Sequence, residues 1–280
     1  MAFPVIDYEE WGRMGQYINL EDGKLFYVHK GKGFPVIMTH SFGRSSWWFS
    51  RVLDVFAEQH SVYVLDLPGW GRSDTPPLPY NIPDFAYAEK EFMDKLGIDR
   101  AHLVGCSGST QMNVHFSTTW PSRVAKLVLD AFTHWNRVEA KRYWLERFQA
   151  VEGRLDRPYA EWFQRTEPNQ EFMFLEEGIR EIAIERNIRG FEDHRQWWLD
   201  VLKVGQLKYD VNTRLHLIQA PTLLISGEVG PEYVVGGLPK KSEAIHGSRV
   251  EIIPEAGVLS AFEQPEIYSR LVLEFLSSAE

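Results

Sequence analysis

A serine among small residues is the first place in this 280-residue chain where chemistry could occur. Gly105-Cys106-Ser107-Gly108-Ser109 closes the apolar run "AHLVGC" and opens a helical stretch over 109–119. A serine displayed on a sharp strand-to-helix turn needs small neighbours two residues to either side, because larger side chains would clash in the bend. Its hydroxyl could attack an acyl carbon, provided that a base takes the proton. Cys106 is the one thiol in the chain. The register puts Ser107 at the apex, so the thiol reads as a small buried side chain. His134 lies four residues past Asp130 in "LVLDAFTHW" and could be a relocated base or a surface histidine. Asp130, Glu228 and Glu232 are the acids near strand exits, and Glu228 could point inward. His194 and His216 are isolated and read as surface residues. No His/Cys spacing suits a metal, and "GWGRSD" has the wrong context for a dinucleotide loop, so no metal or cofactor is expected.

The elements that must position these groups follow from hydropathy patterning. "GQYINL" and "KLFYVHK" read as a hairpin around "EDG". "FPVIMTH", "SVYVLDL", "AHLVGC" and "RVAKLVLDAF" read as buried strands. Helical spacing over 46–58, 84–97 and 109–119 separates them, with Gly97 as a stop signal. Strands alternating with helices imply βαβ crossovers and a mostly parallel sheet. From 134 to 208 the pattern turns helical and Trp-rich. The sheet returns with "APTLLISGE", a short helix near 242–246, the strand "RVEIIPE" and a last helix near 264–278. The expected organisation is therefore an α/β core over 1–133 and 209–280, with an inserted helical cap over 134–208.

Composition narrows the setting. Hydrophobic residues make up 44% and the net charge is −9. With no basic stripe, nucleic acid is not an expected partner. No apolar run reaches the ~18 residues of a membrane span, and the first residues read as neither signal peptide nor anchor. A lone cysteine fits a reducing, cytoplasmic compartment. Oligomeric state is left open.

At this point the chain resembles the α/β-hydrolase superfamily over nearly its whole length. "THSFGRSSWWF" looks like the family's His-Gly loop, "VLDLPGWGRSD" like the segment after the fourth strand, and "APTLLISGE" and "IIPEAG" like the last two strands with their exits. The pattern is similar to capped esterases, lactonases, carbon–carbon bond hydrolases and dehalogenases. The resemblance implies Ser107 as nucleophile and an oxyanion hole from the N–H groups of Phe42 and Gly108. It implies His40 as a buried support for that hole, or a proton donor to a ligand, and it puts Ser41 where glycine is usual.

Two family positions are occupied by other residues. The acid of the Gly-x-x-Asp-Pro stretch is replaced by Gly230 in Gly227-Glu228-Val229-Gly230-Pro231. The histidine of the Pro-x-Ala-Gly-His stretch is replaced by Val258 in Pro254-Glu255-Ala256-Gly257-Val258. The last histidine, His246, precedes that strand, so a shifted alignment restores nothing. The expected function is a triad-deficient member that binds a small, largely apolar ligand between cap and core, with slow or non-hydrolytic chemistry. The alternatives are an active hydrolase of an ester, lactone or carbon–carbon bond with a base such as His134, and a non-catalytic ligand receptor.

Overall fold

The computed structural model describes residues 3–132, 172–230 and 238–278. His134 and Glu232, both singled out above, lie outside the described residues, as do Trp135, Trp144 and Trp162. Eight strands form one sheet in the order β1-β2-β4-β3-β5-β6-β7-β8. They are β1 Gly15–Leu20, β2 Gly23–Lys30, β3 Phe34–Thr39, β4 His60–Leu65, β5 Ala101–Cys106, β6 Val124–Asp130, β7 Thr222–Gly227 and β8 Arg249–Ile253. β1 and β2 pair antiparallel, as do β2 and β4; the other neighbours are parallel. Every residue of β5, β6 and β7 is buried, as expected where helices cover both faces of a parallel sheet.

The connections explain where sequence periodicity succeeds. Helix α3, Ile82–Lys95, starts at a reciprocal cap in which the Asn81 side chain and Asp84 each accept a backbone N–H. It ends before Gly97, whose φ of +66° suits glycine. Helix α4, Gly108–Thr119, follows Ser107 directly. Between β6 and β7 come α5, Glu177–Asp193, and α6, Arg195–Val201, which runs into a π turn over Leu202–Gln206. Trp197 ties this segment to the core: its Nε1–H donates to the Pro68 carbonyl at 3.2 Å.

Three local expectations change. The stretch 46–58 is not one helix but a 3₁₀ turn, Ser46–Phe49, and a short helix α2, Leu53–Ala57. Trp47, Trp48 and Phe49 are all buried, and three successive side chains cannot share one face of an α-helix. The helix expected near 242–246 is α7, Leu238–Ala244. An N-terminal helix α1, Tyr8–Met14, was not expected, being too short to show periodicity. Its signal is Asp7, whose Oδ1 accepts from the N–H groups of Glu9 and Glu10 at 2.9 and 3.1 Å. The chain closes with α8, Ser260–Glu263, and α9, Pro265–Ser277. No helix among the described residues is long and apolar enough to cross a membrane.

One core position conflicts with burial. Glu89, on α3, is 1% exposed, and among the described residues neither carboxylate oxygen has a hydrogen-bond partner. Burial pushes its carboxyl up to about 8. The unfolded chain ionises near 4.5 while the folded chain stays protonated, so stability is present below that pH and is lost as pH rises through about 8. Urea unfolding should show a loss of up to about 5 kcal/mol across this window. Glu89→Gln should flatten the slope; an unchanged slope would exclude Glu89 as its source.

Candidate functional site

The site is built around a strained residue. Ser107 adopts φ 52° and ψ −113°, left-handed for a residue with a side chain. Such a conformation costs of order 1–3 kcal/mol and persists only if its surroundings hold it. The Ser107 N–H donates to the Asp130 carbonyl at 2.8 Å, locking the turn to the end of β6. The Ser109 hydroxyl accepts from the Cys106 N–H and contacts the Thr39 carbonyl, each at 2.9 Å, locking it to β3. The small residues at the flanks have a steric cause: a Cβ on Gly105 would lie 2.7 Å from Asn113 Nδ2.

The loop after β3 lies against the start of α4. A Cβ on Gly108 would come within 2.7 Å of the Phe42 ring and 2.9 Å of Gln206 Nε2. Gly108 is the first residue of α4, so its N–H has no intrahelical acceptor. Phe42 is buried and stacks on Trp70 with ring centroids 4.9 Å apart. Gln206 belongs to the π turn and was missed in the sequence, because a lone glutamine in a helical pattern carries no signal of where it packs.

His40 is fully engaged. Its Nδ1–H donates to the Ser41 carbonyl at 2.8 Å, and its Nε2 accepts from the Leu67 N–H at 2.9 Å. Burial pushes the imidazole down to about 3, so it is neutral at physiological pH. In this geometry its one proton supports the loop, not a ligand. Asp66 helps from the next loop: its buried carboxylate accepts the N–H groups of Ser46 and Arg72 at 2.6 and 2.7 Å.

The remaining acids are placed as follows. Asp130, the last residue of β6, is fully buried, and the Ser260 hydroxyl contacts both its carboxylate oxygens at 3.0 Å. Burial raises its carboxyl well above the usual range, and nearby Glu263 adds to this. Glu228, expected as a possible inward group, is exposed and accepts the Glu255 N–H at 3.3 Å. Gly227 allows that turn: a Cβ there would lie 2.2 Å from the Ala256 carbonyl oxygen, so the exits of β7 and β8 touch. Val258 is half-buried, and its carbonyl accepts the Cys106 thiol at 3.6 Å. Valine has no titratable group, and its backbone carbonyl meets the serine turn at Cys106. His194, read as a surface residue, is half-buried where the segment after β6 meets the core, because α5 folds back onto the loop after β3. His216 is exposed.

A crevice of ≈ 220 Å³ lies beside this turn, lined by His40, Ser41, Trp48, Cys106, Asp130 and Phe262 among others. Among the described residues no group of three or more His, Cys, Asp and Glu could hold a metal. Lys241 on α7 is a further buried cation near the sheet's end, donating to the Phe132 carbonyl, and burial pushes its ammonium down to about 7.

Comparison with known proteins agrees with this geometry. A family model described as the α/β hydrolase fold matches residues 35–265. A 2-hydroxy-6-oxononadienedioate/2-hydroxy-6-oxononatrienedioate hydrolase of Klebsiella pneumoniae is 29% identical over 279 residues, covering 94% of this chain and 96% of its own. A protein of the same name from Paraburkholderia phymatum is 28% identical over 284 residues, covering 93% and 95%. Among solved structures, a hydrolase from Pseudomonas aeruginosa superposes with TM-score 0.78 at 23% identity, covering 94% of this chain and 98% of its own. An enol-lactonase from Burkholderia xenovorans gives 0.76 at 19%, covering 94% and 100%. At these identities the structures speak for the fold alone.

The hydroxyl of Ser109 is the clearest test of how the turn is held. Ser109→Ala leaves the Cys106 N–H buried without its acceptor, which costs about 1–3 kcal/mol. Denaturant unfolding should show that loss; a variant as stable as the parent would mean the turn is held elsewhere.

Proposed function

The chain belongs to the α/β-hydrolase fold family, and from that premise we propose that it is a member with an incomplete triad, binding a small, largely apolar ligand above Ser107. What supports this reading is the valine at position 258, in the stretch where the resemblance expects a histidine, with its carbonyl 3.6 Å from the Cys106 thiol. A serine hydroxyl without an adjacent base is a poor nucleophile. Loss of a triad member costs about 10⁴- to 10⁶-fold in turnover in serine proteases, and about 10³- to 10⁴-fold over water remains from oxyanion stabilisation and binding. Gly230 fits the same account, since an acid that orients a histidine has nothing to orient once the histidine is gone. Phe42 and Gly108, side by side, are the proposed oxyanion donors, with Ser41 beside them in the loop. Lyase, isomerase or decarboxylase chemistry could use such donors and Ser107 without an imidazole. The cap of this reading is the inserted segment, 134–208, with α5 and α6 as its described part.

The relatives support a second reading. Those named above are hydrolases of 2-hydroxy-6-oxo dienedioates, small-molecule substrates, and one structural neighbour is an enol-lactonase. An active hydrolase of an ester, lactone or carbon–carbon bond would need a base from outside positions 230 and 258, such as His134. A ligand receptor that reuses the fold is the third possibility; it would bind without turnover.

A fluorophosphonate probe separates the first two. It should label Ser107 slowly in the parent protein, and Gly230→Asp combined with Val258→His should raise ester hydrolysis by about 10²-fold or more. Rapid labelling of the parent, abolished by His134→Ala, would overturn the incomplete-triad reading in favour of the relocated base.

A further inference from the structure

The segment before β1 is gripped along its length by side chains of the core. The Arg51 Nε–H donates to the Phe3 carbonyl at 3.1 Å and its Nη1–H to the Phe262 carbonyl at 2.6 Å, so one guanidinium joins this segment to the stretch after β8. The Trp47 Nε1–H donates to the Ile6 carbonyl at 2.7 Å, and the Arg72 Nη2–H to the Tyr8 carbonyl at 2.9 Å. In return, Trp11 of α1 is fully buried and donates from Nε1 to the Ser46 hydroxyl at 2.9 Å. Gly12 makes room for Arg72, because a Cβ there would lie 2.5 Å from its Nε. Ser46, Trp47 and Arg51 lie between β3 and β4, and Arg72 lies in the loop after β4.

Tyr8 reaches beyond the core. Two guanidiniums lie over its ring, with Arg72 Cζ 4.0 Å and Arg186 Cζ 4.5 Å from the centroid. Arg72 is a core residue, whereas Arg186 belongs to α5, between β6 and β7. Both cations also have carboxylate partners: Arg72 is 3.6 Å from Glu9, and Arg186 is 3.7 Å from Glu185. Their charges are therefore compensated, and what the ring contributes is a shared contact between a core group and a group of α5. A cation is attracted to the face of a tyrosine, more strongly where water is excluded. Tyr8 is half-buried, and the Arg72 and Arg186 side chains are only 17% and 22% exposed.

Helix α5 leans on the loop that carries Phe42. A Cβ on Gly190 would lie 3.0 Å from the Gly43 carbonyl oxygen, and one on Gly43 would lie 2.2 Å from Phe191 Cε1. Whatever holds α5 in place therefore also confines the loop beside the serine turn. We propose that residues 3–14 act as a strap that fastens α5 to the core, with the Tyr8 ring as its link to Arg186. The strap works whether or not Ser107 does chemistry.

Hydrogen–deuterium exchange of the α5 amides tests it, because local opening is read there apart from global unfolding. Tyr8→Leu keeps an apolar side chain on the strap and removes the ring. The α5 amides should then exchange about threefold faster or more, while those of β5, β6 and β7 keep the parent rate. Arg186→Met should give the same acceleration, and the double variant no more than either alone, since both remove one contact. Unchanged exchange in α5 of Tyr8→Leu overturns the proposal. Equal acceleration in the central strands also overturns it, by making Tyr8 a contributor to global stability. So does a double variant whose effects add. Glu185→Gln removes the ion pair and leaves the ring contact; if it reproduces the whole effect of Arg186→Met, the ion pair and not the strap holds α5. If Tyr8→Leu fails to fold, Arg186→Met and Glu185→Gln decide by the same readout.

Discussion

The site depends on a backbone conformation that its residue does not favour. Ser107 at φ 52° is held by one hydrogen bond to β6, from its own N–H to the Asp130 carbonyl, and by the Ser109 hydroxyl bridging to β3. Neither anchor exists until three strands are side by side in register. The strain at the turn is thus sustained by the parallel sheet, whose central strands are buried along their whole length. Gly105 and Gly108 are the steric counterpart of that arrangement, because the space a Cβ would need is taken by Asn113, Phe42 and Gln206.

Around the turn, polar groups are spent on architecture. His40 uses both ring nitrogens to hold the loop after β3 to the loop after β4. Asp66 returns the favour from the other side, and Trp11 of the N-terminal helix donates to Ser46 at 2.9 Å. Buried charges and imidazoles are costly unless bonded in this way. The consequence for chemistry is that both ring nitrogens of His40 are occupied, while Asp130 is buried against the Ser260 hydroxyl with its carboxyl pushed up by burial. The thiol of Cys106, next to Ser107, contacts the Val258 carbonyl at 3.6 Å.

The relatives raise the prior for hydrolysis, yet identities near 28% carry the fold and general family, not each residue's role. Arg44 joins the loop after β3 to helix α5 through Ser41 and Asn187.

Much of this was legible in the residues themselves. Strand identity and order of elements followed from hydropathy period, and the serine turn from the small flanking residues. The glycine and proline spacing at the exits of the last two strands was what singled out Gly230 and Val258 for the proposed reading. Other features were not legible, for physical reasons. Three consecutive aromatics at 47–49 look helical by spacing, yet their joint burial breaks the helix. Glu228 looked able to point inward until the contact of the β7 and β8 exits turned it out. His194 looked like a surface group, and packing half-buried it. Gln206 and Arg44 carried no local pattern at all. Local sequence determined which segments would be strand, turn or helix, because those preferences act over a few residues. Tertiary structure alone decided which polar atoms meet, because partners such as Arg44 and Asn187 lie 143 positions apart and are brought together only by the folded chain.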